Sequence, residues 1–194
     1  MAEPSHDADS LAPGFLIAAP SLEGGPFEQS LILMVHHDAD GVMGFIVNKQ
    51  IEPSFGELME SAHGPSTPSL SEASYQRTVF FGGPVSLEQL WVIYRQEDEA
   101  TVPHAELEDV QTAGEMPFHE RWVMAGSGSV IEAYAAGQRS GEYLPLLGYA
   151  GWGPGQLEGE IEEGSWLAAD FDESLLIDTP PKERWNAALT NMGL

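Results

Sequence analysis

Residues 31–47, Leu-Ile-Leu-Met-Val-His-His-Asp-Ala-Asp-Gly-Val-Met-Gly-Phe-Ile-Val, carry the strongest fold signal in the chain. Two apolar runs, Leu31–Val35 and Val42–Val47, flank a polar stretch that ends in Asp40-Gly41. Asp-Gly is typical of hairpin turns, because type I′ turns need positive φ at both central residues. Both runs are almost continuously apolar rather than alternating. This pattern predicts strands that are covered on both faces inside a layered α/β structure.

Six further short apolar segments, several of them rich in β-branched or aromatic residues, predict strands on either side of the hairpin. They are residues 15–19, 78–81, 90–95, 122–125, 144–150 and 166–169. Residues 61–76 are rich in Ser, Pro, Ala and Gly, which favours a variable, mobile loop. Residues 96–109 carry six acids and no Lys or Arg, so we expect a solvated loop or edge there.

Helices are predicted from their N-terminal signals. Ser54 with Glu57 fits a capping box, in which each residue caps the other's backbone N–H, and residues 129–132 repeat the pattern. Pro154 is predicted as the first residue of a third helix, and Thr179 as the cap of the last one.

The chain is strongly acidic, with 31 Asp plus Glu against 7 Lys plus Arg and a net charge of −24 over 194 residues. A groove for nucleic acid needs clustered Lys and Arg, so the charge argues against direct DNA or RNA binding. Binding to an anionic membrane surface is disfavoured for the same reason. The 42% apolar content and the 5 Trp, 5 Tyr and 8 Phe indicate a packed core, and the length predicts about one domain.

The absence of cysteine excludes disulfides, thiolate nucleophiles and Cys-based metal sites. Residues 1–10 are polar and acidic, which predicts a disordered tail. This segment lacks the basic and apolar regions of a signal peptide. The longest strongly apolar run, Leu31–Val35, is far below the roughly 20 residues that span a bilayer. We therefore expect a cytoplasmic protein that does not associate with membranes.

Few side chains form a pattern with recognised chemistry. Adjacent residues on a strand point to opposite faces, so His36 and His37 cannot easily share a metal. Asp38 and Asp40 are better explained as a turn with solvated acids, and the glutamates within residues 158–163 as the wet face of a helix. No catalytic residue, cofactor or metal site is predicted.

Residues 148–155, Gly-Tyr-Ala-Gly-Trp-Gly-Pro-Gly, form the densest glycine segment. The segment lies between a predicted strand and a predicted helix, where backbone N–H groups can hold an anion. It matches neither a nucleotide P-loop nor the Gly-x-Gly-x-x-Gly pattern. Tight packing of these glycines under Trp152 is the favoured interpretation, and an anion or small-ligand site and a protein-docking surface stay open as alternatives.

Three blocks of sequence make the chain resemble the YqgE/AlgH family of uncharacterised bacterial proteins, some of which have been labelled transcriptional regulators. The blocks are residues 15–49, which include Gly41-Val-Met-Gly-Phe-Ile-Val-Asn-Lys49, residues 79–84, Val-Phe-Phe-Gly-Gly-Pro, and residues 147–158, with Glu160, Trp166 and Trp185 beyond them. Gln50 departs from the proline usual in the family. The resemblance implies a compact single-domain α+β fold over residues 11–194, with mixed β-sheets covered by short helices.

The resemblance implies a shared surface site but no catalytic residues. Recurring polar positions of the family map onto His37, Asn48, Gln156 and Glu158. With the glycines and the aromatic residue of the second and third blocks, the candidate surface site comprises His37, Asn48, Gly82, Gly83, Gly148, Gly151, Trp152, Gln156 and Glu158.

The sequence leaves two functions open. The preferred one is a non-enzymatic regulatory or adaptor protein that acts through contacts with an unidentified partner protein, because no nucleophile–base or metal pattern is found and the surroundings of Trp152 are expected to be exposed. The alternative is a small-ligand-binding protein or enzyme with a site at the Gly148–Gly155 turn, where His37 would be the acid–base group. The alternative requires the polar residues of the candidate site to converge in one cavity.

Overall fold

The computed structural model describes residues 10–67, 69–96, 114–126 and 128–194. The chain divides into two compact units. Unit 1 comprises residues 1–49, 83–85 and 149–194, and unit 2 comprises residues 50–82 and 86–148. The predicted acidic tail, apart from Ser10, and the predicted acidic loop, apart from Gln96, lie outside the described residues.

Ten strands and six α-helices are found in the described ranges. The strands are β1 (Gly14–Ala18), β2 (Leu31–Asp38), β3 (Gly41–Ile46), β4 (Gln50–Ile51), β5 (Val79–Phe81), β6 (Val85–Arg95), β7 (Glu115–His119), β8 (Trp122–Ala125), β9 (Tyr143–Trp152) and β10 (Trp166–Asp170). The helices are α1 (Phe55–His63), α2 (Glu72–Tyr75), α3 (Gly128–Ala135), α4 (Gln156–Glu162), α5 (Ser174–Ile177) and α6 (Arg184–Asn191), and two 3₁₀ turns cover Gly64–Ser66 and Pro181–Glu183. The predicted α+β class with mixed sheets and short helices is confirmed.

Unit 1 is built on antiparallel strands in the order β10, β1, β2, β3, followed by the end of β9. In this register Phe15 lies opposite both Leu33 and Ala169. Helix α6 contacts β1 and β2, and α4 contacts β3 and β10. All of β1 and the first five residues of β2 are buried, which explains why these strands are apolar at consecutive positions.

The hairpin predicted from residues 31–47 is confirmed, but its turn differs from the expected type. Asp38 pairs with Gly41, so the central residues are Ala39 and Asp40, and neither has a positive φ. Gly41 instead opens β3 with φ of 143°, and a Cβ at this position would collide with the carbonyl oxygen of Trp152. The glycine therefore serves the contact with β9 rather than the turn.

Unit 2 combines antiparallel and parallel pairing. Strand β4 pairs antiparallel with β5, and β5 runs parallel to β9 with Phe80 opposite Leu146. Strands β9, β6, β8 and β7 are neighbours in that order. Helices α1, α2 and α3 contact one another, and the apolar faces of α1 and α3 share a core with strands β5, β6, β8 and β9. The predicted capping box of α1 is confirmed, because the Ser54 hydroxyl accepts from the Glu57 N–H and the Glu57 carboxylate accepts from the Ser54 N–H.

Three predicted helix starts are wrong. Ser129 lies inside α3, which already begins at Gly128. Pro154 precedes α4 by two residues, because Gly155 takes the left-handed conformation with φ of 73° and becomes the N-cap. The Thr179 hydroxyl donates to the carbonyl of Ser174 in the preceding helix α5, so Thr179 does not cap α6.

The segment predicted as a loop over residues 61–76 contains the end of α1, the first 3₁₀ turn and α2 among its described residues. No helix within the described ranges is both long and apolar enough to cross a bilayer.

Candidate functional site

His37 and Glu158, both proposed for the surface site, are in direct contact within unit 1. The His37 Nε2 lies 2.9 Å from the Glu158 Oε1, across 121 residues of sequence. Strand β2 presents His37 near its end, and α4 presents Glu158 in its first turn. The Glu158 backbone N–H and then the His37 imidazole hold the pKa of the Glu158 carboxyl below its ordinary value.

Both ring nitrogens of His37 are engaged inside the fold. The backbone N–H of Leu11 donates to the His37 Nδ1 at 2.9 Å, so the proton of the neutral ring resides on Nε2 and is donated to Glu158. The His37 side chain is only 8% exposed. This geometry anchors the segment before β1 to the end of β2, and it leaves neither nitrogen for proton transfer to a ligand.

Glu160 accepts more side-chain hydrogen bonds than Glu158, Glu162 or Glu163, although the sequence predicts a solvated face for all four. One oxygen accepts from the indole N–H groups of Trp152 and Trp166, each at 2.9 Å, and the other accepts from the Gln156 amide at 2.9 Å. Burial by itself raises the pKa of Glu160, but the three hydrogen bonds outweigh it, and the net shift is downward. Glu158, Glu162 and Glu163 are exposed as expected.

Trp152 is buried, which corrects the expectation of an exposed aromatic surface around it. The residue is 6% exposed, and its ring packs edge-to-face on Trp166 with centroids 5.8 Å apart. Phe27 packs on both rings. The buried rings, together with Glu160, form a polar-centred aromatic cluster that stabilises unit 1. They offer no aromatic surface to a partner.

The glycines of the candidate site are strand and packing residues for the most part. Gly148 and Gly151 belong to β9, so the turn contains only residues 153–155. Gly83 has φ of 155°, and a Cβ there would collide with the backbone of Tyr149. In unit 2 the Gly82 N–H donates to the Leu147 carbonyl. These contacts support the interpretation of tight packing.

Asn48 lies at the opposite end of β2 from His37. Its Oδ1 accepts from the Leu31 N–H at 2.9 Å, and its Nδ2 donates to the Gln29 carbonyl at 2.8 Å. Leu31 and His37 are six positions apart on one strand, which is roughly 20 Å. The polar residues of the candidate site therefore do not converge in one cavity.

A polar groove of about 380 Å³, which we call the lysine groove, surrounds Asn48 in unit 1. Its lining residues are Gly25, Glu28, Gln29, Asn48, Lys49, Lys182, Trp185 and Asn186. From the sequence, only Asn48 is predicted to belong to a site here, because Lys49 and Lys182 are distant in sequence. The available signal was that they are the only two lysines in the chain.

A second groove, of about 350 Å³ and mainly apolar, lies in unit 2, and we call it the apolar groove. Its lining residues are Leu58, Met59, Ser61, Ala62, His63, Leu87, Glu88, Leu90, Gly128, Ile131, Glu132 and Leu147. No pattern in the sequence predicts this groove, since its residues come from four separate elements. In the described part of the chain, no cluster of three or more His, Asp or Glu side chains could hold a metal ion.

Comparison with known proteins places the chain among the AlgH-like proteins, whose family model matches residues 15–194. A UPF0301 protein from Anaeromyxobacter sp. (strain Fw109-5) is 35% identical over 194 residues, which cover 98% of this chain and 92% of that protein. A UPF0301 protein from Vibrio cholerae is 30% identical and covers 93% and 90% of the two chains.

Two solved structures share the fold. The solution structure of AlgH from Pseudomonas aeruginosa matches with a TM-score of 0.77 and 28% identity, covering 100% of this chain and 93% of that one. The crystal structure of a protein from Corynebacterium diphtheriae matches with a TM-score of 0.70 at 20% identity, covering 93% and 86%, and supports the fold alone. The chain, by the family model and these relatives, belongs to the AlgH-like family.

Proposed function

We propose that the protein is a non-enzymatic adaptor that docks a short amphipathic segment of a partner protein, with apolar anchors and basic flanks, in the apolar groove. The observation that carries this proposal is an apolar cleft open to solvent whose lining contains two glutamates and no Lys or Arg. Open apolar clefts of this kind are typical of peptide-binding sites.

The walls of the groove come from a helix face and a strand. Leu58 and Ala62 lie one turn apart on α1, and so share one face of that helix. Leu87 on β6 is 50% exposed, although leucine is normally buried. A partner side chain inserted between these elements would bury apolar surface that the protein alone leaves in contact with water.

The negative charge at the apolar groove determines which residues should flank the apolar anchors of the partner segment. Glu88 and Glu132 line the groove, in a chain whose net charge is −24. Complementary charges accelerate association and disfavour acidic competitors. We therefore expect lysine or arginine next to the apolar anchors of the partner. The same negative field opposes direct binding to duplex DNA, so any regulatory role would act through such a partner.

The alternative of a small-ligand site beside His37 has less support. An acid–base group needs a nitrogen within reach of its substrate, and His37 uses both nitrogens in bonds to Leu11 and Glu158. The glycines near it are occupied in strand packing. We therefore place the candidate site of unit 1 second to the apolar groove.

Fluorescence anisotropy with two synthetic peptides tests the proposal. Both carry leucines at i, i+3, i+4 and i+7, and one has lysine flanks whereas the other has glutamate flanks. We expect the lysine peptide to bind at least about tenfold more tightly than the glutamate peptide at low salt. Equal binding of the two peptides, or no binding of either, would contradict the proposal.

Matched variants locate the binding surface. Leu87→Ser removes an exposed anchor and should weaken binding of the lysine peptide by about fivefold or more. Leu194→Ser alters a 71% exposed leucine in unit 1 and should leave binding unchanged. Glu88→Lys with Glu132→Lys should shift the preference toward the glutamate peptide. Equal effects of the two leucine variants would place the peptide elsewhere.

A further inference from the structure

The two lysines of this chain line the same groove in unit 1. The chain has 31 carboxylates and two lysines, at positions 49 and 182, and both side chains border the lysine groove. A random distribution of so few lysines would seldom bring them together. Their shared position therefore directs attention to what the groove can bind.

Neither lysine is neutralised by an ion pair in the part of the chain that the structure describes. Within the described residues no carboxylate lies within 4.0 Å of the Lys49 or Lys182 ammonium group, whereas Arg139 pairs with Glu115 at 2.9 Å and Arg77 with Glu142 at 3.9 Å. The Lys49 Nζ donates to the carbonyl of Pro26 at 2.6 Å. Burial lowers the pKa of Lys49, although the charge of Glu28 counteracts the shift. A bound anion would supply the direct ion pair that neither ammonium group has among the described residues.

One wall of the groove is held in place by hydrogen bonds. The Asn48 amide bridges the Leu31 N–H and the Gln29 carbonyl, so the backbone that carries Lys49 is fixed to the start of β2. Gln29 adopts φ of 52°, a left-handed conformation that is uncommon for residues other than glycine. Glu28, the only acid among the described lining residues, accepts from the backbone N–H of Gly24.

The opposite wall is held by a buried arginine and an anchored tryptophan. Arg184 follows Lys182 by two residues and is 5% exposed. Its guanidinium donates to the carbonyls of Val47, Leu176 and Thr179. The Trp185 indole N–H donates to the Ala18 carbonyl at 2.9 Å, which fixes the ring at the edge of the groove. Both lysines therefore extend from rigid backbone, and little ordering is needed on binding.

We propose that the lysine groove binds a small soluble phosphate ester whose phosphate is held by Lys49 and Lys182. The volume of about 380 Å³ is in the range of small-molecule sites. Two lysines without an arginine in the lining favour phosphate over carboxylate, since lysine binds phosphate as a point charge and carboxylates are matched by the arginine fork. The Asn186 amide and the Trp185 ring would contact the organic part.

A soluble ester is favoured over a phospholipid head group, which carries the same phosphate chemistry. An anionic bilayer would meet the field of a chain with a net charge of −24, and a freely diffusing ester presents far less negative charge. This site is separate from the apolar groove of unit 2, so the proposal does not depend on the adaptor function.

Titration of the full-length protein tests the proposal. Inorganic phosphate, pyrophosphate and glycerol 3-phosphate are added at low salt, while calorimetry and the amide and indole NMR signals are recorded. We expect saturable binding with shifts at the Trp185 indole and the Asn186 side-chain amide, and weaker binding as salt increases. Absence of saturable binding with all three probes would overturn the proposal.

Two charge-matched variants separate the site from a general field effect. Lys182→Gln removes an exposed charge in the groove and should weaken binding by about fivefold or more. Arg121→Gln removes one charge in unit 2 and should leave binding unchanged. An equal loss in both variants would show only a field effect and would refute the site. Sedimentation with phosphatidylglycerol vesicles that Lys182→Gln abolishes, without binding of the soluble probes, would refute the soluble ligand.

Discussion

Glu160 illustrates how one carboxylate can organise an aromatic cluster. It accepts the indole N–H groups of Trp152 and Trp166 and the amide of Gln156. Both indole rings are buried, so their N–H groups would lack partners without this acceptor. A lost partner for a buried donor costs about 1–3 kcal/mol, which makes Glu160 a stabilising residue despite its place in an acidic helix.

Glu160→Gln should reduce the free energy of unfolding by about 1–3 kcal/mol at pH 7. Because the folded-state pKa of Glu160 lies below its ordinary 4.5, its contribution is present above that value and is lost as the pH falls through the folded-state pKa. The difference between the two proteins in urea unfolding should therefore shrink as the pH falls below 4.5. Glu162→Gln, on the exposed side of the same helix, is the control, and a pH-independent difference would contradict the prediction.

Arg184→Lys should destabilise the protein by about 2–4 kcal/mol, although it keeps the charge. Three carbonyls accept from the guanidinium in different directions, and a lysine ammonium on a flexible stem cannot reach all of them. Arg121→Lys is the control for loss of a guanidinium that is only partly buried, and two nitrogens of Arg121 donate to the carbonyl of Gln96. Urea unfolding measures both variants, and equal losses would show that the three-way arrangement is unimportant.

At the scale of elements, the contact between β3 and β9 depends on Gly41. Gly41→Ala should destabilise the protein well beyond Gly24→Ala, by about 2 kcal/mol or more. Both glycines have positive φ, at 143° and 79°, where a side chain is disfavoured. Only Gly41 would place its Cβ against the Trp152 carbonyl, since nothing lies within 4 Å at Gly24. Thermal unfolding measures the difference, and similar losses would exclude the steric explanation.

Elements that depend on interactions between neighbouring residues were predictable from the sequence, whereas elements that depend on residues distant in the chain were not. The β2–β3 hairpin and the capping box of α1 arise from neighbouring residues, and both are confirmed. Strand β4 has two residues, and its pairing with β5 leaves no periodic pattern. The start of α4 was misplaced because Gly155 adopts the left-handed conformation that Pro154 alone does not reveal.

The same distinction applies to the candidate site. His37 and Glu158 were named together through the family resemblance, and they are in contact. The structural role of Glu160 was not predicted, because a carboxylate among other acids is expected to be solvated. Only the fold brings the indoles of Trp152 and Trp166 to it. Asn48 was grouped with His37 on the family resemblance alone, although the predicted hairpin already places His37 beside its turn and Asn48 at its open end.

The net charge of −24 is a property of the whole molecule that affects what it can bind. Fluorescence anisotropy with random and promoter duplexes should show no binding at about 50 mM salt, because few cations are available to displace phosphate counterions. Arg77 and Arg139 are engaged with carboxylates, and Arg184 with backbone carbonyls. A duplex affinity in the micromolar range with a steep salt dependence would contradict this prediction.

Self-repulsion should also make the protein more stable as salt is added. A net charge of −24 destabilises a compact chain, and raising the ionic strength from about 0.01 M to 0.15 M shortens the screening length from roughly 30 Å to 8 Å. Screening also weakens the Arg139–Glu115 pair, but a partly exposed pair contributes only about 1 kcal/mol or less. Relief of repulsion should therefore dominate, and Tm should rise across this range.

Removing surface charge tests whether repulsion is the cause of that rise. Glu162→Gln with Glu163→Gln deletes two exposed carboxylates from the end of α4, and neither residue has a side-chain hydrogen bond in the described part of the chain. The double variant should have a higher Tm than the parent at low salt and a smaller increase on adding salt, because less repulsion is left to screen. A Tm that falls with salt, or an identical salt response in both proteins, would mean that attractive pairs outweigh the acidic surface.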